Sequence, residues 1–479
     1  MSEIIPHWLS KRANLSPENT ALELVDGSNI TFLELHKKSV QMANKIAALG
    51  VAKGTHLGIL SANNLNMVYI LHAVSYLGAV GVLLNTRLSD DEINYQLQDA
   101  EVSILITDEE NSNRQLQVNE SYSYDEVNKQ TEVQTVLQKE LNLAQPFTII
   151  YTSGTTGFPK GVVHTYGNHW WSAISSALNL GLEKNDKWLI SLPLFHVSGL
   201  STLMKSVMYG MPIYLMKKFD VDLVHDAIMR KEVTIVSVVT LMMQRLMEKL
   251  NSESYPRTLR CFLLGGGPAP KILLEKAKDK NIPVFQSYGM TETTSQIATL
   301  SAQDALDKIG SAGKPLLPAE LEIKNPGIDG VGEIIVKGPM VTEGYYKNEA
   351  ANEQTLVNGW LHTGDLGYLD DAGYLYVVDR RTDLIISGGE NIYPSEIENA
   401  LVKLPEIEEA GVIGVADETW GEVPVAYVVL NEPVSETDIL LNLGKQLAKY
   451  KLPKEIIFIK EMPRNASNKL VRNKLKDIT

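Results

Sequence analysis

The chain has 479 residues and a mass of 53.0 kDa, beyond the size at which one hydrophobic core keeps growing, so two or more domains are expected. Apolar residues make up 44% and charged residues 21%, which excludes a disordered chain, and a net charge of −14 argues against a nucleic-acid or membrane-surface partner reached by overall attraction. Cys261 is the only cysteine, which excludes an internal disulfide and a cysteine metal cluster and fits a reducing compartment.

The opening residues, MSEIIPHWLSKRANLSPENTALE, hold no basic segment followed by an apolar stretch, and no apolar run reaches bilayer length. A soluble, cytoplasmic protein without a membrane span is therefore expected. Through residue 380, short β-branched runs alternate with helical patterns: HLGIL, a helix through NMVYILHAVSYLGA, VSILIT, FTIIY, a helix near NHWWSAISSALNL, then KWLISL, PIYLM and TIVSVV. That alternation predicts parallel sheets covered by helices. The polar stretch 108–145 reads as a surface excursion. After Leu300 the texture changes to strands with tight turns, as in GEIIVKGP and LGYLDDAGYLYVVD, where Asp371, Ala372 and Gly373 offer a hairpin turn.

Beyond DRRTD follow a helix from PSEIENALVKL, strands EAGVIGVA and VPVAYVVL, a helix around 436–449, and a basic tail. The expected fold class is α/β and α+β multidomain. A large N-terminal part, residues 1–380, combines helix-covered sheets with a β-rich subdomain, and a small α+β domain occupies 381–479. Residues 441–479 hold ten Lys or Arg against three Asp or Glu. Such a run is either a solvated helical face or a site for an anionic ligand.

One loop stands out chemically. YTSGTTGFPKG, residues 151–161, gathers glycine amides that can form an anion-binding nest with the hydroxyls of Thr152, Ser153, Thr155 and Thr156 and the point charge of Lys160. The apolar strand 147–150 ahead and a helix behind would be the usual mounting. A Walker loop requires Gly directly before the Lys and a hydroxyl after it, whereas Pro159 and Gly161 flank Lys160. Nor do Gly265 to Gly267, ahead of Pro268, make a dinucleotide fingerprint. The bland alternative is a solvent loop.

Three further segments follow that loop in order: QSYGMTET at 286–293, HTGDLGYLDDAGYLYVVDRR at 362–381 and PRNASNKLVRNKL at 463–475. Together the four resemble the signatures of the adenylate-forming superfamily, which includes acyl-CoA synthetases, luciferases and the adenylation domains of peptide synthetases. The resemblance spans essentially the whole chain and implies a small, mobile C-terminal domain. It also implies activation of a carboxylic acid: the carboxylate attacks the α-phosphorus of ATP, and diphosphate leaves.

Residue by residue, the resemblance has Thr152, Ser153, Thr155, Thr156 and Lys160 clasp the departing diphosphate. It sets Tyr288 against adenine, Thr291 on the α-phosphate and Glu292 on Mg2+. Asp365 would grip the ribose hydroxyls, the alternative being a turn-capping aspartate beside Gly364. Arg380 resembles the ribose-binding arginine. Lys469 matches the lysine that bridges carboxylate and α-phosphate, an effect expressed mainly in the transition state. Asn468 stands where Gly is usual, and the hinge position falls on Thr382, where Asp or Lys is usual. Gly388 and Gly389 of ISGGEN would face the thiol chain of coenzyme A. His196, in LPLFHVSGL, matches a pocket or gating position; a core histidine is the alternative.

Within the superfamily, GNHWWSAISSALNLGL, LPLFHVSGLSTLMKSVMYGM, LLGGGPAP, ISGGENIYPSEIE and PRNASNKL resemble the o-succinylbenzoate-CoA ligases of menaquinone biosynthesis. That resemblance implies o-succinylbenzoate, ATP and coenzyme A as substrates, with Gly266 and Gly267 beside the acid. A retained ring carboxylate must be paired when buried, and Lys205 is either its partner or a snorkelling lysine on an amphipathic helix. Other readings are a ligase for another aromatic or fatty acid, an adenylating enzyme serving a carrier protein or oxygen, and a nucleotide sensor. Self-association into a homo-oligomer is left open.

Overall fold

Asn64 accepts the Met67 N–H at 2.9 Å and Gly78 takes a left-handed φ of 66°, so helix Leu65–Leu77 starts and stops where its apolar run does. The structure, a computed structural model, describes residues 3–152, 158–266, 271–301, 303–305, 307–327, 330–379, 385–392, 394–463 and 472–478. The two strands joined by that helix, His56–Leu60 and Val80–Leu84, pair in parallel as apolar runs buried on both faces. They form the centre of a six-stranded sheet ordered Lys160–Thr165, Pro146–Thr152, Val80–Leu84, His56–Leu60, Ile104–Thr107 and Glu120–Ser123. Helices Trp8–Leu15 and Phe32–Ala48 close over helix Leu65–Leu77 in the core.

A second, nine-stranded sheet has Val284–Met290, Cys261–Leu264, Ile235–Val238, Trp188–Ile190, Ile213–Leu215 and Thr20–Leu24 in parallel. Antiparallel strands finish both of its ends. The alternation predicted parallel sheets; the sheets are parallel inside and antiparallel at these margins and at Lys160–Thr165, where short connections replace helical crossovers. The polar stretch 108–145 is more than an excursion. It supplies the edge strand Glu120–Ser123 and the helix Tyr124–Lys129, whose Tyr124 and Val127 are buried, while the edge keeps a wet, polar face.

A third, antiparallel sheet holds Glu320–Lys324, Gly332–Lys337 and Trp360–Leu369, and the turn at 370–373 leads into Leu375–Asp379. Gly373 has a φ of 80° in that turn. The small C-terminal unit is built on a sheet whose long hairpin, Ile407–Asp417 with Gly421–Leu430, packs helices Pro394–Leu401 and Glu436–Gln446. Its core of Ile397, Leu401, Val412, Ala426 and Leu443 is separate from the others. Among the described residues, no helix is long and apolar enough to cross a membrane.

Candidate active site

The hydroxyl-rich loop leaves strand Pro146–Thr152 and returns in strand Lys160–Thr165, with Thr152 directly opposite Lys160. This corrects the expected mounting. A second strand follows the loop, because the β-branched run of KGVVHT pairs with FTIIY, and the helix begins only at Tyr166. Tyr151 turns away from the loop and donates to Asp99 at 2.6 Å. Ser153, Thr155 and Thr156 lie outside the described residues, as do Gly267, Arg380, Thr382 and Lys469.

Thr152 and Lys160 face a cavity of about 1640 Å³ lined from all four of these sheets. The Lys160 ammonium sits 5.2 Å from the centre of the Tyr345 ring. Across the cavity, strand Val284–Met290 ends in the turn that carries Thr291 and Glu292. Gly289 is required there, since a Cβ would lie 2.1 Å from the Ser295 carbonyl oxygen. Tyr345 donates to Glu292 Oε1 at 2.9 Å, which orders that carboxylate. Behind the turn, the buried His164 donates from Nε2 to the Thr291 carbonyl at 2.7 Å. Its Nδ1 therefore accepts from Thr148, whose oxygen accepts from His169 Nε2. Burial lowers the His164 pKa to about 4, so this chain stays neutral.

Asp365 is 4% exposed, opens on the same cavity, and accepts from the Tyr288 hydroxyl at 2.7 Å. The Tyr288 ring itself packs with Ile297, Ala298 and Leu375.

Lys205 also lines the cavity. Helix Val197–Tyr209 is buried on nearly every face, so Lys205 cannot snorkel and is only 2% exposed. Its ammonium meets Gln296 Oε1 at 3.2 Å and the Ser295 hydroxyl at 3.5 Å, and lies 5.5 Å from the Trp188 ring. No carboxylate among the described residues lies within 4.0 Å of it, and burial lowers its pKa to about 7. Gly266, at a φ of 84°, lines the same cavity.

The small unit closes the remaining side with Gly388, Gly389 and Glu390. Gly388 has a φ of 56°, and a Cβ on it would meet the Trp420 ring at 2.8 Å, so only glycine fits. Glu390 is bound by Arg87 at 2.5 Å and lies 3.6 Å from His196 Nε2. Although burial opposes its charge, His196 and Arg87 hold the Glu390 carboxyl below its ordinary value. His196 is therefore at the seam between the two parts of the chain. The residues that sequence reasoning missed, His164, Tyr345, Glu390 and Gln296, are contacts made across long chain separations.

Residues 9–346 match the AMP-binding enzyme family and residues 396–469 match the AMP-binding enzyme C-terminal domain. A 2-succinylbenzoate–CoA ligase of Oceanobacillus iheyensis is 60% identical over 481 residues, covering 99% of this chain and 100% of that one. A double mutant of o-succinylbenzoate CoA synthetase from Bacillus subtilis, bound to a product analogue, is 50% identical with a TM-score of 0.96, covering 99% of this chain and 98% of that one. The same enzyme in complex with its acyl-adenylate intermediate is 49% identical over 99% of each chain, with a TM-score of 0.77. A whole-chain score falls in this way when a sizeable part of the chain is placed differently.

Proposed function

The chain belongs to the AMP-binding enzyme family, and we propose that it is the ligase that joins o-succinylbenzoate to coenzyme A, converting ATP to AMP and diphosphate. In the first step a carboxylate oxygen of the acid attacks the α-phosphorus, and the bond to the bridging oxygen breaks with its electron pair leaving on diphosphate. In the second, the coenzyme A sulfur attacks the acyl carbon, AMP departs, and the thiol proton is lost to solvent.

Each residue has a task in these steps. Thr152 and Lys160, with Ser153, Thr155 and Thr156, neutralise the departing diphosphate. Thr291 donates to the α-phosphate, and Asp365, braced by Tyr288, accepts from the ribose hydroxyls beside Arg380. Glu292 would hold magnesium. An ordered single carboxylate suits a metal that binds mainly through nucleotide phosphates, and no cluster of three ligating side chains occurs among the described residues. Bound there, the ion would supply positive charge that offsets the charge on the departing diphosphate.

The observation that carries the choice of acid is Lys205, a buried amine with no carboxylate within 4.0 Å among the described residues, opening on the cavity that holds Thr291 and Asp365. A monocarboxylic acid would leave it unpaired; a dicarboxylate fills it with the ring carboxylate while the succinyl carboxylate reacts. Gly266 and Gly267 let the acid pass close to backbone.

We place the domain boundary at residue 381, with Thr382 as the hinge and Lys469 delivered to the first step by the small domain. Gly388 and Gly389 then border the route of the thiol, with His196 beside it. The TM-score of 0.96 to the product-analogue complex supports this placement as the thioester-forming one. A thioester assay over o-succinylbenzoate, benzoate and fatty acids tests the reading: AMP, diphosphate and a free thioester should form with o-succinylbenzoate far faster than with the monoacids. Release of ADP, or no preference for the dicarboxylate, would overturn it.

A further inference from the structure

Lys451 is 3% exposed, yet it carries an ammonium into the seam between the large part and the small unit. It donates to Glu396 Oε1 at 2.7 Å and to Glu92 Oε1 at 2.5 Å. The two carboxylates differ in where they belong. Glu396 lies on helix Pro394–Leu401 and travels with Lys451, whereas Glu92 lies on helix Asp90–Asp99 of the large part. The Glu92 contact therefore exists only while the small unit sits as it does here.

Glu92 is held ready for that contact. Its Oε2 accepts the Ser89 N–H at 2.8 Å, and the Ser89 hydroxyl oxygen accepts the Glu92 N–H at 3.3 Å, in a capping box, so its rotamer is fixed before Lys451 arrives. Ser89 itself donates to the Gln446 carbonyl at 2.7 Å. The neighbouring cross-seam pair, Arg87 with Glu390, has an arginine 53% exposed and is screened by solvent. The Glu92 pair has side chains only 8% and 4% exposed.

Charge is balanced in the seam. Glu396 Oε2 is buried without a hydrogen-bond partner among the described residues, and burial, with Glu92 near, pushes its carboxyl up to about 7. Burial opposes the charge on Lys451, but Glu396, Tyr450 and Glu92 raise its pKa and keep it an ammonium. One cation thus meets two carboxyls, of which Glu396 can hold a proton. Such a buried pair adds little net stability over apolar packing, but a mismatched partner is heavily disfavoured, so its effect is to select one placement.

We propose that Glu92 and Lys451 are the positioning pair that seats the small domain for the thioester-forming step. This rests on the two-step ligase reading, in which the small domain adopts two placements in turn. Neither side chain touches the reacting atoms.

The two steps are measured separately, as acid-dependent exchange of labelled diphosphate into ATP and as AMP release from preformed acyl-adenylate on adding coenzyme A. The variants are E92K, K451E and the swap E92K/K451E, which restores one lysine facing two glutamates. Each single change should slow the second step by at least about tenfold and leave exchange within about twofold. The swap should recover most of the loss, to within about threefold of the parent. E92Q, which can keep the helix cap, should slow the second step less than E92K and guards against a folding failure. Equal slowing of both steps, no slowing in any single variant, or a swap no better than the single changes would overturn the pair. Absence of acid-dependent exchange in the parent enzyme would instead overturn the ligase reading.

Discussion

Tyr288 and Asp365, 77 residues apart in sequence, meet at 2.7 Å, with the phenol donating to Oδ2 of a carboxylate that opens on the cavity. The tyrosine is the support of that carboxylate, since its ring is packed in the β-rich core. A hydrogen bond to a charged group contributes about 1.5–3 kcal/mol, and part of that is recovered by solvent reaching the cavity. Tyr288→Phe should therefore raise KM for ATP by about tenfold and leave KM for the acid unchanged. Asp365→Ala should weaken ATP further. Steady-state kinetics with each substrate varied in turn checks both; an equal change in both KM values would dissociate the pair from the nucleotide.

Burial moves the titration of Lys205 toward neutral pH. Burial brings its pKa to about 7, so the ammonium is present below that pH and disappears above it. A ring carboxylate needs the ammonium, and binding must recruit a proton once the free lysine is neutral. KM for o-succinylbenzoate should thus be flat below about pH 7 and rise by up to about tenfold per unit above it. In Lys205→Ala, KM for the acid should be high by at least about tenfold and the pH dependence lost, with KM for ATP little changed. An acid KM that ignores pH in the parent enzyme would remove Lys205 from the acid site.

Much of this was legible in the sequence because it is local. HLGIL, NMVYILHAVSYLGA and the turn at Asp371 to Gly373 each carry their own periodicity, cap or turn chemistry, and each formed as read. The segments holding Thr152, Lys160, Thr291, Glu292 and Asp365 were likewise readable, and the fold gathers these residues around one cavity. What the chain hid is non-local. STLMKSVMYG looks the same for a snorkelling lysine and a buried one, because a helix covered on all sides loses the polar stripe that would tell them apart. KGVVHT became a strand only because FTIIY lay beside it, and Glu92 gives no sign that it will meet a lysine 359 residues later.

Glu292 is the carboxylate proposed above to hold magnesium, and Tyr345 fixes one of its oxygens at 2.9 Å. Replacing the charge but not the shape isolates the electrostatic part. Glu292→Gln should raise the magnesium concentration for half-maximal diphosphate release by about tenfold or more and slow adenylate formation, without raising KM for the acid. Tyr345→Phe should shift the magnesium requirement by a smaller factor in the same direction. Magnesium titrations of acid-dependent exchange distinguish the two, and an unchanged requirement in Glu292→Gln would place the metal elsewhere.

Arg260 and Asp186 offer a prediction about stability that leaves the chemistry alone. The guanidinium donates from Nε to Oδ1 at 2.6 Å and from Nη2 to Oδ2 at 2.5 Å, and also reaches the Leu180 carbonyl at 2.7 Å. Asp186 is 3% exposed and further accepts from Thr234 at 3.0 Å and from the Glu183 N–H at 2.8 Å. This network ties the strand Cys261–Leu264 to the end of helix Tyr166–Leu180. Arg260→Ala strips the counter-ion from a carboxylate that is still buried, which costs about 3–5 kcal/mol, far more than the loss of a surface pair. Arg260→Ala/Asp186→Ala removes both charges and should be less destabilised than the single change. Urea midpoints should order the proteins parent, double variant, single variant, while kcat in undenatured samples changes little; a single variant as stable as its parent would show that solvent reaches Asp186 after all.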